Sequence, residues 1–265
     1  MMSYKSFVFE QDQGVATIRL NRPETLNSLT FETYEELNQA MQDIDKDDSA
    51  RAVMITGTGR GFCSGGSFVD IIQKLFDRST QEKYQFTRLT CDLIKNMRRC
   101  RKPIVAAVNG PAVGAGALIA LASDVRIVAE SAHFAFLFVK VGLAGADMGA
   151  TYLLPRVVGL GMASELLMTG RKVSADEAHR IGLANRVVPD PDLLGEAQKM
   201  AATLASGPFR ALGMTKDLIN HACGMDLEPA LEMEAQTQAL CMEAPEFAEG
   251  YKAFLEKRPP VFYRP

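Results

Sequence analysis

The sequence predicts an α/β protein, and three features carry that reading. Short apolar runs that read as strands alternate with stretches whose apolar residues recur at three- and four-residue steps. Two of the strands, 53–56 and 104–108, run into glycine-bearing loops, and each loop precedes a stretch that can wind into a helix. Strand, helix, strand in repetition is the order of an α/β core.

The elements follow in turn. Val15-Ala16-Thr17-Ile18-Arg19-Leu20 alternates like a half-buried strand and stops at Asn21-Arg22-Pro23, where proline breaks the ladder. Thr30 is placed to cap a helix whose apolar face is Phe31, Tyr34, Leu37, Met41 and Ile44. A strand at 52–56 comes next. Residues 80–98 repeat the helical spacing through Phe86, Leu89, Leu93 and Met97, and strands are expected at 104–109 and 125–129. Ser174-Ala175-Asp176-Glu177 has the spacing of a capping box, and Gly182 suits the far end of that short helix before a run at 183–188. After Pro189-Asp190-Pro191-Asp192 the chain is helix-compatible, with breaks at Gly207-Pro208, Gly224 and Ala244-Pro245. The composition shifts near 190–205, dividing the chain into a core at 1–200 and a helical region at 201–265. Such a tail either folds back on its own core or packs across a partner subunit.

Composition narrows the function classes. With 265 residues and 47% hydrophobic content the chain can bury a substantial core. A net charge of −3 provides no global field for nucleic acid, and the run Arg98-Arg99-Cys100-Arg101-Lys102 reads as a solvated helix end. Five cysteines at scattered spacings form neither a disulfide framework nor a zinc motif, which fits a reducing, cytoplasmic compartment. The stretch Met1-Met2-Ser3-Tyr4-Lys5 lacks the apolar core of a signal peptide, and no run of about eighteen apolar residues suggests a membrane span.

Chemistry points first to the loops Gly61-Phe62-Cys63-Ser64-Gly65-Gly66 and Asn109-Gly110-Pro111-Ala112-Val113-Gly114-Ala115-Gly116. Small residues let a ligand approach bare backbone. Converging loops of this kind aim two peptide N–H groups at one oxygen, and a helix beginning near Ala115 adds its positive end. The alternative is that the glycines only serve tight turns. No Gly-x-Ser-x-Gly elbow is present, Gly114-Ala115-Gly116 lacks the third glycine of a dinucleotide fingerprint, and there is no P-loop. His133, His179 and His221 are too scattered to suggest a metal or catalytic role. Asp147 is the only charged residue between Lys140 and Arg156. Apolar surroundings raise a carboxyl pKa toward values useful for shuttling protons, while a helix N-cap over residues 148–154 is the structural alternative. Asp124, expected to face Arg126, reads as a structural hydrogen-bonding group.

At these residues the chain resembles the crotonase superfamily, also called the enoyl-CoA hydratase/isomerase family. The resemblance runs through Asn21-Arg22-Pro23, Asn27-Ser28-Leu29, both glycine loops, Gly170, Ser174-Ala175-Asp176-Glu177-Ala178 and Gly182-Leu183. It implies a spiral of ββα turns, a helical C-terminal region that trimerises, and a homotrimer or a hexamer of two trimers. It also implies an acyl-CoA thioester as substrate, with no cofactor beyond the coenzyme A that the substrate carries. The two oxyanion donors match Gly66 and Ala115, and Ser64, Gly66, Phe68 and Ala115 become the expected contacts to the thioester.

Hydratases of the family use two glutamates to activate water. Counting from Asn109 puts Leu118 at the first position, and counting back from Gly142 puts Phe138 at the second. Hydrocarbon cannot activate water, so hydration is not expected. The run Phe138-Val139-Lys140-Val141-Gly142-Leu143, with Asp147-Met148-Gly149-Ala150-Thr151-Tyr152-Leu153-Leu154-Pro155-Arg156, is similar to the branch holding the ring-opening isomerase of phenylacetate degradation. That branch works with one aspartate, matching Asp147, although the loop from Gly142 to Asp147 is one residue longer here. Ser67 stands where many relatives carry aspartate. The expected activity is therefore an enoyl-CoA isomerisation with Asp147 as proton shuttle. The rivals are a hydrolase or dehalogenase using Asp147 as nucleophile or water activator, and a noncatalytic acyl-CoA-binding protein. Phe68, Ile71, Ile72, Leu75, Phe76 and Phe86 either line an acyl pocket or pack a core.

Overall fold

The computed structural model describes residues 4–263, so Met1, Met2 and Ser3 of the N-terminal stretch read for a leader lie outside it. Strands β1 (Phe7–Asp12) and β2 (Val15–Leu20) form an antiparallel hairpin. Its turn residues, Gln13 and Gly14, both take positive φ, 46° and 81°, as a tight right-twisting hairpin requires. Helix α1 (Phe31–Lys46) then crosses to β3 (Ala52–Gly57), which lies parallel to β2. Thr30 caps α1 as expected, its hydroxyl accepting from the Thr33 N–H at 3.1 Å, and Tyr34, Leu37, Met41 and Ile44 are buried.

A π-helical turn at Phe68–Ile72 continues into the short helix α2 (Gln73–Leu75), and α3 (Thr80–Arg99) starts from a complete Ser79–Glu82 capping box. Strand β4 (Ile104–Val108) pairs parallel with β3. All residues of β3 and β4 are buried, which explains why they read as unbroken apolar runs and not as alternation. The short strand β5 (Ala112–Val113) leads into α4 (Ala115–Ala122), a helix buried on every side. Strands β6 (Val125–Ala129) and β7 (His133–Ala135) follow. Next come a 3₁₀ turn at Leu137–Val141, α5 (Ala150–Val158), α6 (Leu160–Thr169), β8 (Lys172–Ser174), α7 (Ala175–Arg180) and β9 (Arg186–Val188). The main sheet runs β1-β2-β3-β4-β6-β9, and a small second sheet runs β5-β7-β8.

Helix α8 (Leu193–Ala205) lies on the main sheet through Leu193, Ala197, Ala201 and Ala205, one buried residue per turn. It runs through residue 200, so α9 (Phe209–Ala222) is the first helix past the division read from composition. Helices α10 (Leu227–Met242) and α11 (Pro245–Leu255) complete the chain, and the breaks between these helices fall where glycine and proline placed them.

Three sequence readings need correction. The Ser174 hydroxyl accepts from the Glu177 N–H at 3.2 Å, but the Glu177 carboxylate turns away to Arg171 at 2.7 and 2.9 Å, so only half of a capping box forms. Asp124 is close enough to act on the Arg126 charge but forms no ion pair or hydrogen bond with it. It binds Arg98 at 2.8 Å and Lys216 at 2.8 Å and accepts the Ile104 N–H, whereas the buried Arg126 donates to the carbonyls of Leu183 and Ser123. The basic run at 98–102 is not simply solvated either: Lys102 is fully buried, its ammonium 4.3 Å from the centre of the Phe209 ring, because α9 packs over the end of α3. Burial pulls the Lys102 pKa below its ordinary value.

Candidate active site

Strands β3 and β4 deliver the two glycine loops side by side. Two asparagines shape the first loop's approach. Asn27 donates to the carbonyls of Thr58 and Gly61, and Asn109 donates to those of Gly59 and Gly61 while accepting the Gly57 N–H. Main-chain hydrogen bonds then join the loops directly. Phe62 and Cys63 donate to the Pro111 carbonyl at 3.2 and 3.1 Å, and Val113 donates to the Cys63 carbonyl at 2.9 Å. On its outer side the first loop is held by Leu29, which donates to the Gly65 carbonyl and accepts from the Ser67 N–H, both at 2.8 Å.

Gly65, at φ 95°, packs so tightly against the second loop that a β-carbon there would lie 3.0 Å from the Val113 carbonyl oxygen and 3.5 Å from the Ala115 nitrogen. The structure thus brings Gly66 and Ala115 onto adjoining loops. Among the described residues neither of these two N–H groups is taken by an acceptor within the chain. Ala115 is also the first residue of α4, where the helix field favours developing negative charge. Two unengaged peptide N–H groups on loops that touch are the components from which a site for a negatively charged oxygen is built. Ser64 is different: its hydroxyl donates to the Thr25 carbonyl and its N–H to Leu26, so both groups serve the fold. Phe68, at the start of the π-helical turn, is 67% exposed. Ile71 is buried in the core, and Phe86 packs edge-on against Phe31 and Tyr34.

Asp147 lies between the 3₁₀ turn and α5. It is not the cap of a helix over 148–154, because Met148 and Gly149 both take left-handed φ, 45° and 78°, and the helix begins only at Ala150. One carboxylate oxygen accepts the Met148 N–H at 2.8 Å. Burial raises the Asp147 pKa above its ordinary value, against the smaller opposing effect of that hydrogen bond. Tyr34 on α1 is buried beside it, its hydroxyl directed at the Met148 sulfur 4.0 Å away. Burial, then the nearby Cys63 and Asp147, hold the Tyr34 phenol neutral. Cys63 is pushed up to about 12 by burial, so its thiol is no nucleophile. Cys91 on α3 also faces Asp147 and has its pKa raised, by burial first and then by that carboxylate. Tyr34 thereby links the first glycine loop to the Asp147 turn.

Leu118, within α4, is completely buried, and Phe138 packs partly buried against the core. Both positions are hydrocarbon. Sequence reasoning missed the network that fixes the far side of the first loop. Arg22 donates to Asp70 at 2.9 Å, and Ser67 donates to the same carboxylate while accepting the Asp70 N–H. The Ser67-x-x-Asp70 spacing, an N-cap signature, was the available signal. Among the described residues there is no group of three or more His, Cys, Asp or Glu side chains able to hold a metal, and no helix is long and apolar enough to cross a membrane.

Comparison with known proteins gives a consistent result. Residues 10–265 match the family model described as enoyl-CoA hydratase/isomerase. The 1,2-epoxyphenylacetyl-CoA isomerase of Escherichia coli K12 is 39% identical over 258 residues, covering 95% of each chain. The crotonyl-CoA hydratase of Syntrophomonas wolfei is 35% identical over 257 residues, covering 97% of each. Among solved structures, a provisionally named enoyl-CoA hydratase of Streptomyces coelicolor A3(2) superposes with a TM-score of 0.97 at 44% identity, covering 99% of this chain and 96% of that one.

Proposed function

The chain belongs to the enoyl-CoA hydratase/isomerase family and has its crotonase fold, and on that premise we propose that it shifts a double bond within an acyl-CoA thioester. One observation carries the proposal: Asp147 is a partly buried carboxylate next to Tyr34 and Cys91, while the Leu118 and Phe138 positions are hydrocarbon. Such a site has one group to move protons and no pair of carboxylates to activate water.

In this reading the thioester carbonyl oxygen accepts from the N–H groups of Gly66 and Ala115. Ionised Asp147 removes a proton from C2 of a 3-enoyl thioester. The electron pair spreads over the C3–C4 double bond and the carbonyl, leaving a dienolate whose oxygen is held by the two amides. Asp147 then returns the proton at C4, giving the 2-enoyl thioester and restoring its own charge. One such donor is worth about 2.7–4 kcal/mol, or a hundred- to thousand-fold in rate. The coenzyme A is part of the substrate, and the step uses no other cofactor. Similarity to the E. coli enzyme named 1,2-epoxyphenylacetyl-CoA isomerase supports isomerisation and adds arylacetyl thioesters to the substrates to be tried.

Exposed Phe247, Tyr251 and Phe254 on α11, with Leu227, Leu231 and Leu240 on α10, support assembly of the helical C-terminal region into a homotrimer or hexamer. Free cysteines suit a reducing, cytoplasmic setting. In the test, 3-enoyl-CoA and 2-enoyl-CoA are supplied separately in isotopically labelled water to the wild type and to Asp147→Asn. Conversion of 3-enoyl-CoA to 2-enoyl-CoA without solvent oxygen, lost in the variant, is the expected result, and solvent hydrogen at C4 measures how far the Asp147 proton exchanges with water before its return. Undiminished isomerisation by Asp147→Asn, or solvent oxygen in the product, overturns it.

A further inference from the structure

Met148 combines two features that rarely meet. It carries a side chain yet stands at φ 45°, in the left-handed region, and that side chain is 1% exposed. Strain of this kind persists where surrounding structure over-determines it. Here the determinant is the seat beneath Tyr34, whose hydroxyl faces the Met148 sulfur at 4.0 Å. The residues on either side, Asp147 and Gly149, are less buried, so the thioether is the anchor of this turn. The same residue's amide donates to the Asp147 carboxylate at 2.8 Å, and Cys91 on α3 faces both groups.

We infer that Met148 is a positioning residue: its burial beneath Tyr34 holds the left-handed turn that turns the Asp147 carboxylate inward, toward Tyr34 and Cys91. The inference rests on reading Asp147 as the proton shuttle, but the placement itself is measurable without turnover. Cys91 is exposed and serves as the reporter, since burial first and then the Asp147 carboxylate suppress its thiolate and hence its alkylation, against a smaller opposing hydrogen bond from the Met148 amide.

Iodoacetamide labelling of Cys91 at pH 8, followed by mass spectrometry, is compared in the wild type, Asp147→Asn, Met148→Gly, Met148→Leu and the double variant Asp147→Asn/Met148→Gly. Removing the carboxylate is expected to speed labelling about three- to tenfold. Glycine accepts the backbone conformation but supplies no anchor, so Met148→Gly should label within about twofold of Asp147→Asn, and the double variant no faster. Leucine fills the seat and should stay within about twofold of the wild type. With 3-enoyl-CoA, kcat of Met148→Gly should fall about tenfold or more while KM holds. Wild-type labelling and kcat in Met148→Gly overturn the inference, as does a double variant that labels much faster than Asp147→Asn. Labelling of the buried Cys63 and Cys100 marks an unfolded variant, in which case Met148→Ala is judged by the same comparisons. If labelling follows expectation but the wild type isomerises nothing, the placement stands and the proposed function fails.

Discussion

A β-carbon on Gly116 would stand 2.2 Å from the carbonyl oxygen of Cys63, so helix α4 touches the first glycine loop backbone to backbone. Neither element can give way without the other. Cys63 donates to Pro111 and accepts from Val113, and all of α4 is buried.

Gly116→Ala therefore has to push the two loops apart. Forced overpacking typically costs about 1–3 kcal/mol, and an oxyanion donor moved out of line costs about a hundredfold in rate. The expected outcome is a lower urea midpoint together with a kcat about a hundredfold down and a KM little changed. Denaturation curves and initial rates on 3-enoyl-CoA check it, and a stable, fully active variant would contradict the contact.

The proposed shuttle role of Asp147 sets activity and stability against each other. Its pKa is raised in the folded protein, so proton abstraction should fail as pH drops through that raised value, above the ordinary 3.8. The folded state prefers the protonated form, so the carboxyl favours folding below its unfolded pKa, and that contribution is lost as pH rises through the folded value. Asp147→Asn should accordingly be the more stable protein near neutrality, with the advantage vanishing in acid, while losing about a hundredfold or more in kcat. Unfolding curves from pH 3 to 8 and a pH–rate profile test both halves.

Asp124 separates structure from chemistry. It neutralises Arg98 and the buried Lys216, with oxygens 2.8 Å from each. Removing one partner of a buried ionic group leaves the others uncompensated, so Asp124→Asn should lose about 3–5 kcal/mol of stability. The variant that remains folded at low temperature should keep wild-type kcat/KM. A large rate loss without a stability loss would assign Asp124 to the reaction instead.

Lys102 predicts a gain. Its ammonium is buried with no hydrogen-bond acceptor among the described residues, and it lies over the Phe209 ring as a cation–π pair. A desolvated cation–π contact returns about 2 kcal/mol, against an effective burial penalty of several kcal/mol for the charge. Lys102→Met, similar in shape and neutral, should raise Tm by a few degrees. A clear fall in Tm would mean that the ring compensates the charge fully.

The apolar face of the C-terminal helices tests assembly. Phe254 is 80% exposed and Tyr251 63% exposed on the same turn region of α11. Phe254→Glu with Tyr251→Glu should shift the sedimentation coefficient toward that of the single chain and leave the far-ultraviolet circular dichroism unchanged. An unaltered oligomer would place the interface elsewhere.

The α/β class was legible because β3 and β4 are apolar runs, β6 is apolar apart from Arg126, and α1 carries a clean helical face under a threonine cap. The C-terminal helix breaks were equally plain from Gly207-Pro208, Gly224 and Ala244-Pro245. What stayed hidden depends on tertiary contact. β5, β7 and β8 are two or three residues long, too short for a period to show, and exist because loops meet. The left-handed Met148 has no local signature, since methionine does not favour that conformation, and its side chain meets Tyr34, far away in sequence. Glu177 followed Arg171 and not Ser174 because a charged partner within reach outbid a neutral cap. The meeting of the glycine loops was foreseen from their residues, whereas the main-chain bonds that join them appear only in three dimensions.

The bonds among Phe62, Cys63, Pro111 and Val113 tie together peptide groups and not side chains. Whatever projects from the rims of those loops can be exchanged without loosening the pair of amides beneath. Under the proposed function, selectivity for the acyl portion and polarising power are consequently separable properties, and redesign of the first can be tried at positions such as Phe68 while the second is left untouched.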